Sequence, residues 1–395
     1  MSGRERARRL GLRAAGRALA ARERRGEPSR ARLERLLLVR PDHLGDLLWL
    51  TPALRRLRAA WPEAEIWVAC GPWGAPVLAG NRDLDALLPV AFPGFTRRPK
   101  GGPLAPYRYL RRQARLLRRH DFDAAAILRD DHWWGVLLAA AAGIPRRFGY
   151  AHPDVAPFLT DTLPPPPREH AAVTNARLLD ALTEAGERRP PARPLDPCAD
   201  PSNFRPSPAD AARAAELLAE TGADDGAPLM AIHPSAGVPV KLWDVGRLAT
   251  VADRLAADYG AQIVLTGGPG DEALTAAVAR QMTTPALDLA GRTSLGELGA
   301  VFARCALALG PDSGALHLAV AAGAPTVHLY GPADPVKFGP WGAPARQRVV
   351  SAGMHCARCG DLSPARPRGA ACMLAIEVAD VLRAARPLLG ERVGR

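Results

Sequence analysis

Short apolar runs alternate with longer amphipathic stretches along most of the chain, and the runs end in glycine, proline or an acid. In LLLVRPDHLGDLLWLTPALRRL, Leu36–Leu57, the run Leu36–Val39 stops at Arg40-Pro41. Beyond Gly45-Asp46, the residues Leu47, Leu48, Leu50, Leu54 and Leu57 recur at helical spacing. This reads as a strand, a tight loop and a helix, with Pro52 deep enough in the helix to predict a kink. The runs Ile66–Ala69 and Ala124–Leu128 continue the pattern, the latter after a basic helix around Tyr109–Arg119. Leu229–His233, Gln262–Thr266, Ala306–Leu309 and Thr326–Leu329 restart it. Repeated strand–helix alternation predicts an α/β fold, with parallel sheets covered by helices on both faces.

Residues 187–208 hold seven prolines and little periodicity, which marks a boundary between two α/β halves. The predicted organisation is a basic extension over 1–32, a domain over 33–200, a second over 201–375, and a C-terminal helix over 376–395 that packs back on the first domain. A length of 395 residues with 48% hydrophobic content suits two separate cores. No apolar run approaches the roughly 18 residues of a membrane span, and no apolar leader with a cleavage site is evident. Six cysteines in a chain this long are no disulfide framework. The expectation is a cytoplasmic protein.

The formal charge of +12 is unevenly placed: residues 1–35 hold twelve Arg and four Glu, or +8. Arg6, Arg9, Arg13 and Arg17 form one helical stripe, and Leu10, Ala14, Ala18 and Ala21 another. Such a segment is either a solvated tail or a helix lying on an anionic membrane surface. Nucleic acid is the weaker partner, since no aromatic residue interrupts the segment. Of 52 basic residues, only Lys100, Lys241 and Lys337 are lysine, so a lysine kept against that drift hints at a compact ammonium in use.

Three loops of the second half suit a nucleoside diphosphate. In GPDSGALHLA, Gly310–Ala319, a helix beginning near Ser313 offers unpaired amides to an anion, and Gly314 permits close approach. Asp312 or Ser313 also reads as a plain helix cap, and His317 lies one turn further on. In HPSAGVPVKLWD, His233–Asp244, Ser235 and Lys241 can meet a diphosphate. In TGGPGDEAL, Thr266–Leu274, Gly267 and Gly268 permit nucleotide contact, and Asp271 or Glu272 can accept from ribose hydroxyls or favour the next helix. Ligands in open parallel sheets bind beyond the carboxyl ends of strands, where these loops lie.

Taken in order, VRPDHLGDLLWLTPALRRLR, GPWGAPVLAGNRDLDALL, HPSAGVPVKLW, TGGPGDE, DLAGRTSLGEL, GPDSGALHLAVAAGAPTVHLYGPADP and GPWG resemble glycosyltransferase family nine, the heptosyltransferases of lipopolysaccharide core assembly, over about residues 35–385. The resemblance implies a GT-B fold, two Rossmann-like domains with parallel sheets facing a central cleft. It also implies inverting sugar transfer from a nucleotide sugar, ADP-heptose in the family, without metal or other cofactor.

By the same resemblance Asp46 is the general base, while Asp42 falls at a variable position. Ser235, Lys241, Asp312, Ser313, Gly314 and His317 hold the donor diphosphate and sugar. Gly267, Gly268, Glu272, Gly291 and Thr293 hold the nucleoside. Arg97, Arg98 and Lys100 are either acceptor contacts or a solvated loop. The implied partners are a nucleotide sugar and a glycan or glycolipid acceptor; the basic extension over 1–32 is not part of the family pattern, and its charge alone suggests the inner membrane surface as a further partner. The loop that reads His-Pro-Gly-Ala-Gly in much of the family is His-Pro-Ser-Ala-Gly here. The alternatives are a nucleotide-sugar 2-epimerase of the same architecture and a non-catalytic basic protein binding lipid or nucleic acid.

Three other features invite a functional reading. Asp83-Leu-Asp85 and Asp121-Phe-Asp123 match the DxD of metal-dependent sugar transferases, a match common by chance. Cys356, Cys359 and Cys372 with His355 have part of a zinc pattern. Trp133-Trp134 reads as packing rather than a sugar platform.

Overall fold

The computed structural model describes residues 11–12, 14–16, 33–96, 102, 104–224, 226–354, 362 and 369–390. These fall into two compact units that divide between Pro194 and Leu195, inside the proline-rich segment.

The first unit is one parallel sheet of six strands: β1 (Arg35–Arg40), β2 (Glu65–Cys70), β3 (Ala86–Pro89), β4 (Ala124–Ile127), β5 (Arg146–Tyr150) and β6 (Asp161–Leu163). Their order is β3-β2-β1-β4-β5-β6. The second unit repeats the plan with β7 (Leu229–Ile232), β8 (Gln262–Leu265), β9 (Ala286–Asp288), β10 (Cys305–Pro311), β11 (Thr326–Leu329) and β12 (Gln347–Val350), ordered β12-β11-β10-β7-β8-β9. Read from β9, this is the same 3-2-1-4-5-6 order, that of a Rossmann sheet.

Helices cover both faces, which is why the central strands read as unbroken apolar runs. Leu36, Leu37, Leu38 and Val39 are fully buried, and Leu38 sits in register with Val68 on one side and Ala126 on the other. The edge strands β3 and β9 are only partly buried, so their apolar signal is weak.

The helices follow from capping and periodicity. Val245–Tyr259 starts at Asp244, whose carboxylate accepts from the Arg247 amide, and stops at Gly260 in the left-handed region. It buries Leu248, Ala249, Val251, Ala252, Leu255 and Ala256 against the sheet. The C-terminal helix Val378–Leu389, expected to reach for the first domain, buries Val381 and Ala385 in the core of the second unit with Leu255 and Val350.

Two expectations are corrected here. The chain does not bend at Pro52. It breaks into Leu44–Leu48 and Thr51–Ala60, with Pro52 in the first turn of the second helix, where a missing N–H costs nothing. The basic extension is not wholly solvated. Leu12 is buried in the first unit's core, and Gly16 backs so closely on Pro157 that a Cβ there would lie 2.6 Å from the Pro157 carbonyl oxygen. No helix among the described residues is long and apolar enough to cross a membrane.

Candidate active site

In the first sheet the strand order reverses between β1 and β4, and the loop leaving β1 carries both acids of the PDHLGD stretch. Asp46 is the third residue of the helix Leu44–Leu48. Its carboxylate accepts from the His43 amide at 3.3 Å and closes a capping box. Arg40, the last residue of β1, ties the two acids together. Its Nε lies 3.0 Å from Asp42 Oδ2, and its Nη2 donates to Asp46 Oδ1 at 3.0 Å. Arg40 Nη1 donates to the Leu128 carbonyl and, at 3.3 Å, to Asn175 Oδ1. The guanidinium is almost wholly buried, and its Nε meets Asp42 as an ion pair without a well-formed hydrogen bond.

The two acids differ in what surrounds them. Asp42 is 2% exposed and also takes Arg129 Nη1 on its other oxygen. Burial works to raise its carboxyl, but Arg40 and Arg129 together hold it below the usual range. Asp46 has one guanidinium and keeps a side chain 21% exposed. Burial first, and the neighbouring Asp42 charge second, raise it above the usual carboxylate value, against the pull of Arg40 and the His43 amide. Asp42 is locked as an anion between two cations; Asp46 is the acid that takes up a proton more readily.

Arg40, Arg129 and Asn175 were not singled out in the sequence. Arg40 read as a strand end, while Arg129 and Asn175 come from the loop after β4 and the middle of the helix Ala171–Ala185. An asparagine inside a helix was the one available hint. His132 was missed as well. It is buried beside this network with neither ring nitrogen hydrogen-bonded, and burial drives its pKa down to about 4.

In the second sheet the order reverses between β7 and β10, and both strands end in loops singled out above. Lys241 stands on the short 3₁₀ turn Pro239–Lys241, anchored by the fully buried Val240. Its ammonium donates to Asp312 Oδ2 at 2.6 Å. The other oxygen of Asp312 faces His317 Nε2 at 3.2 Å. Burial again opposes ionisation, but the His317 hydrogen bond and the Lys241 charge hold Asp312 far below its usual value. Asp312 is therefore a fixed anion, and Lys241 keeps two of its three N–H donors unspent on it.

Ser313 caps the eight-residue helix Gly314–Ala321 through the Leu316 amide, and Gly314, its first residue, is half-buried. Gly310 lets the two loops meet, since a Cβ there would fall 2.1 Å from the His233 carbonyl oxygen. Ser235 is half-buried in the loop after β7. Behind Asp312 lie His328, ring to ring with His317 at 5.3 Å, and Tyr330, both fully buried and both missed in the sequence.

The predicted nucleoside residues converge beyond β8. Gly267 accepts from the Gly291 amide at 2.9 Å, and Gly268 donates to Asp271 Oδ2 at 2.9 Å. Asp271 is thus spent on its own turn. Glu272, exposed at the start of Glu272–Ala279, accepts from the Gly270 amide, and its Oε1 would lie 2.3 Å from a Cβ on Gly291. Gly291 itself has φ +70°, so the position suits glycine on two counts. Thr293 is half-buried nearby in sequence.

The DxD pairs are structural. Asp85 accepts from the Ile66 amide and pairs with Arg58, and Asp123 caps the amides of Glu34 and Arg35. Trp134 is core, stacked on Tyr109 and donating to the Pro106 carbonyl. Arg97, Arg98 and Lys100 lie outside the described residues, as do His355, Cys356 and Cys359; Cys372 is buried.

The model of glycosyltransferase family 9 (heptosyltransferase) matches residues 110–363. The chain belongs to this family. It is a glycosyltransferase, and membership favours transfer over the 2-epimerase alternative. The match takes in the Lys241, Glu272 and Asp312 loops and begins beyond Asp46. Lipopolysaccharide heptosyltransferase 3 of Escherichia coli is 27% identical over 302 residues, covering 75% of this chain and 83% of that protein. Lipopolysaccharide heptosyltransferase 2 of E. coli K12 is 25% identical over 332 residues, covering 83% and 91%. A family 9 glycosyl transferase structure from Veillonella parvula superposes with a TM-score of 0.73 at 25% identity, covering 91% of this chain and 98% of that one. The structure of E. coli ADP-heptose lipopolysaccharide heptosyltransferase II gives 0.71 at 21% identity, covering 90% and 98%. The fold is GT-B, two Rossmann-like units in one chain.

Proposed function

We propose that the enzyme transfers heptose from ADP-heptose, with inversion and without a metal, onto a lipid-linked glycan of the lipopolysaccharide core. The observation that supports this most is the division of chemistry between the two switch-point loops. The first carries a proton-accepting carboxylate, and the second carries an ammonium beside a helix start.

In this reading Asp46 takes the proton of the acceptor hydroxyl as its oxygen bonds to the anomeric carbon. The bond from that carbon to the diphosphate breaks, and ADP leaves with the electron pair. Lys241 and the amides at Ser313 and Gly314 meet the charge on the departing diphosphate. Asp312 and His317 lie toward the donor sugar, Ser235 toward the phosphates, and Glu272 accepts from the ribose beside Gly267, Gly268, Gly291 and Thr293. Inversion needs one carboxylate acting as base. The nearest second carboxylate, Asp42, has both oxygens engaged by arginines and is poorly placed to act as a nucleophile. Arg97, Arg98 and Lys100 are proposed to meet an anionic acceptor.

The test is purified enzyme with ADP-heptose, and in parallel with UDP- and GDP-sugars, with and without acceptor glycolipid. ADP release from ADP-heptose only when acceptor is present is the expected result. Donor conversion without acceptor would point to epimerisation instead. EDTA is expected to leave the rate unchanged; a loss restored by a divalent ion would reject the metal-free mechanism.

Such an acceptor lies at the cytoplasmic face of the inner membrane, and the basic segment at 1–32 is proposed to find it there. Each arginine near an anionic surface contributes about 1 kcal/mol. Because Leu12 and Gly16 pack on the first unit, deleting 1–32 would remove core as well as charge. Glutamine at Arg6, Arg9, Arg13 and Arg17 is the cleaner change. Those four substitutions are expected to reduce co-sedimentation with anionic vesicles at low salt; equal binding would show that the charge is only a solvated face.

A further inference from the structure

The two acids beside β1 share one arginine, and that sharing has a chemical consequence. Four charges alternate along a line, Arg129, Asp42, Arg40 and Asp46. Arg129 meets Asp42 Oδ1, Asp42 Oδ2 meets Arg40 Nε at 3.0 Å, and Arg40 Nη2 meets Asp46 Oδ1 at 3.0 Å. Arg40 cannot move away from Asp42, because Nη1 is held by the Leu128 carbonyl and Asn175. We propose that Asp42 is a positioning residue that sets how strongly Asp46 takes a proton, by competing with it for the Arg40 guanidinium. The inference rests on the reading of Asp46 as general base.

The argument is electrostatic. Arg40 alone, held against a carboxylate in a buried site, would make that carboxylate a weak base. Asp42 neutralises much of the Arg40 charge and adds a like charge of its own, so Asp46 is the stronger base for it. Arg129 works in the opposite sense, since it draws Asp42 toward itself and leaves more of Arg40 to Asp46. The other groups facing the pair are few. His43 caps Asp46 through its amide, Asp131 pairs with Arg129, His132 lies buried beside Asp42, and His152 acts on Asp131. From the helix Ala171–Ala185 the contact is the neutral Asn175. None of these touches both acids, as Arg40 does.

Two substitutions should move the same observable in opposite directions. In Asp42→Asn the full Arg40 charge falls to Asp46, and the acid limb of kcat/KM should shift down by about one pH unit, with a lower plateau because a weaker base transfers less efficiently. In Arg129→Gln, Asp42 turns wholly to Arg40, and the acid limb should shift up. Arg129 is 38% exposed, so this variant does not depend on the buried site tolerating asparagine. The limb in kcat/KM reports the free enzyme.

A merely structural role for Asp42 would lower Tm and depress activity equally at every pH, leaving both limbs in place. Unmoved limbs, or shifts of the same sign in the two variants, would overturn the proposal. The separate reading of Asp46 as base fails on a different result, wild-type turnover in Asp46→Asn.

Discussion

Asp46→Asn is expected to fold, to bind donor normally, and to lose transfer by ~10²–10⁴-fold, the usual contribution of a positioned general base. That is about 3–5 kcal/mol of barrier. Folding should survive for local reasons. The amide oxygen of asparagine can still accept from the His43 amide, which keeps the capping box half made. Arg40 keeps Asp42, the Leu128 carbonyl and Asn175, so no buried cation is stranded. The residues proposed to hold the donor belong to the other unit and are untouched. Transfer of labelled sugar measured alongside ADP calorimetry separates the two effects, and turnover at the wild-type rate would remove Asp46 from the mechanism.

Lys241→Ala should weaken ADP binding by about 1.5–3 kcal/mol, the range for a hydrogen bond to a charged group, or roughly 10–150-fold in Kd. It should also cost stability. Asp312 is 5% exposed and loses its ammonium partner, and breaking a buried pair from one side costs about 3–5 kcal/mol. The low end is expected, because Lys241 is itself 18% exposed and His317 remains on the second oxygen.

The sign of the pH dependence follows from Asp312. Its folded pKa lies far below the unfolded one, so ionised Asp312 stabilises the fold above about pH 4, and that contribution fades as acid protonates it. The Tm gap between wild type and Lys241→Ala should be full at neutral pH and close in strong acid. Calorimetry showing unchanged ADP affinity would take Lys241 out of the site.

Much of this protein is legible in its one-dimensional pattern. Strands buried on both faces tend to be continuous apolar runs, and β1, β2, β4, β7, β8, β10 and β11, central or next to central, are legible that way; β5 is equally placed and buried, but Arg146, Arg147 and Gly149 break its run. The edge strands β3, β6, β9 and β12 escaped because strands only partly buried carry little apolar signal. Loops that end central strands must solve a local backbone problem with Gly, Asp and Ser, so the positions of Asp46, Lys241, Asp312 and Glu272 could be picked out before any coordinates.

What distinguishes Asp46 from Asp42 could not. The two acids are four residues apart in similar local sequence, and sequence favoured Asp46 only through family resemblance. Their difference in proton affinity comes from burial and from charges around them: Arg129, which the fold brings from 87 residues away, holds Asp42 down, while burial and the Asp42 charge raise Asp46. Asp312 is a mixed case, held as an anion first by His317 one helical turn away and then by a lysine 71 residues distant. Propensity and capping act over a few neighbouring residues, whereas a buried charge is set by whatever groups the fold gathers around it. Local order was therefore written in the chain, and the chemistry of each acid was decided only by tertiary structure.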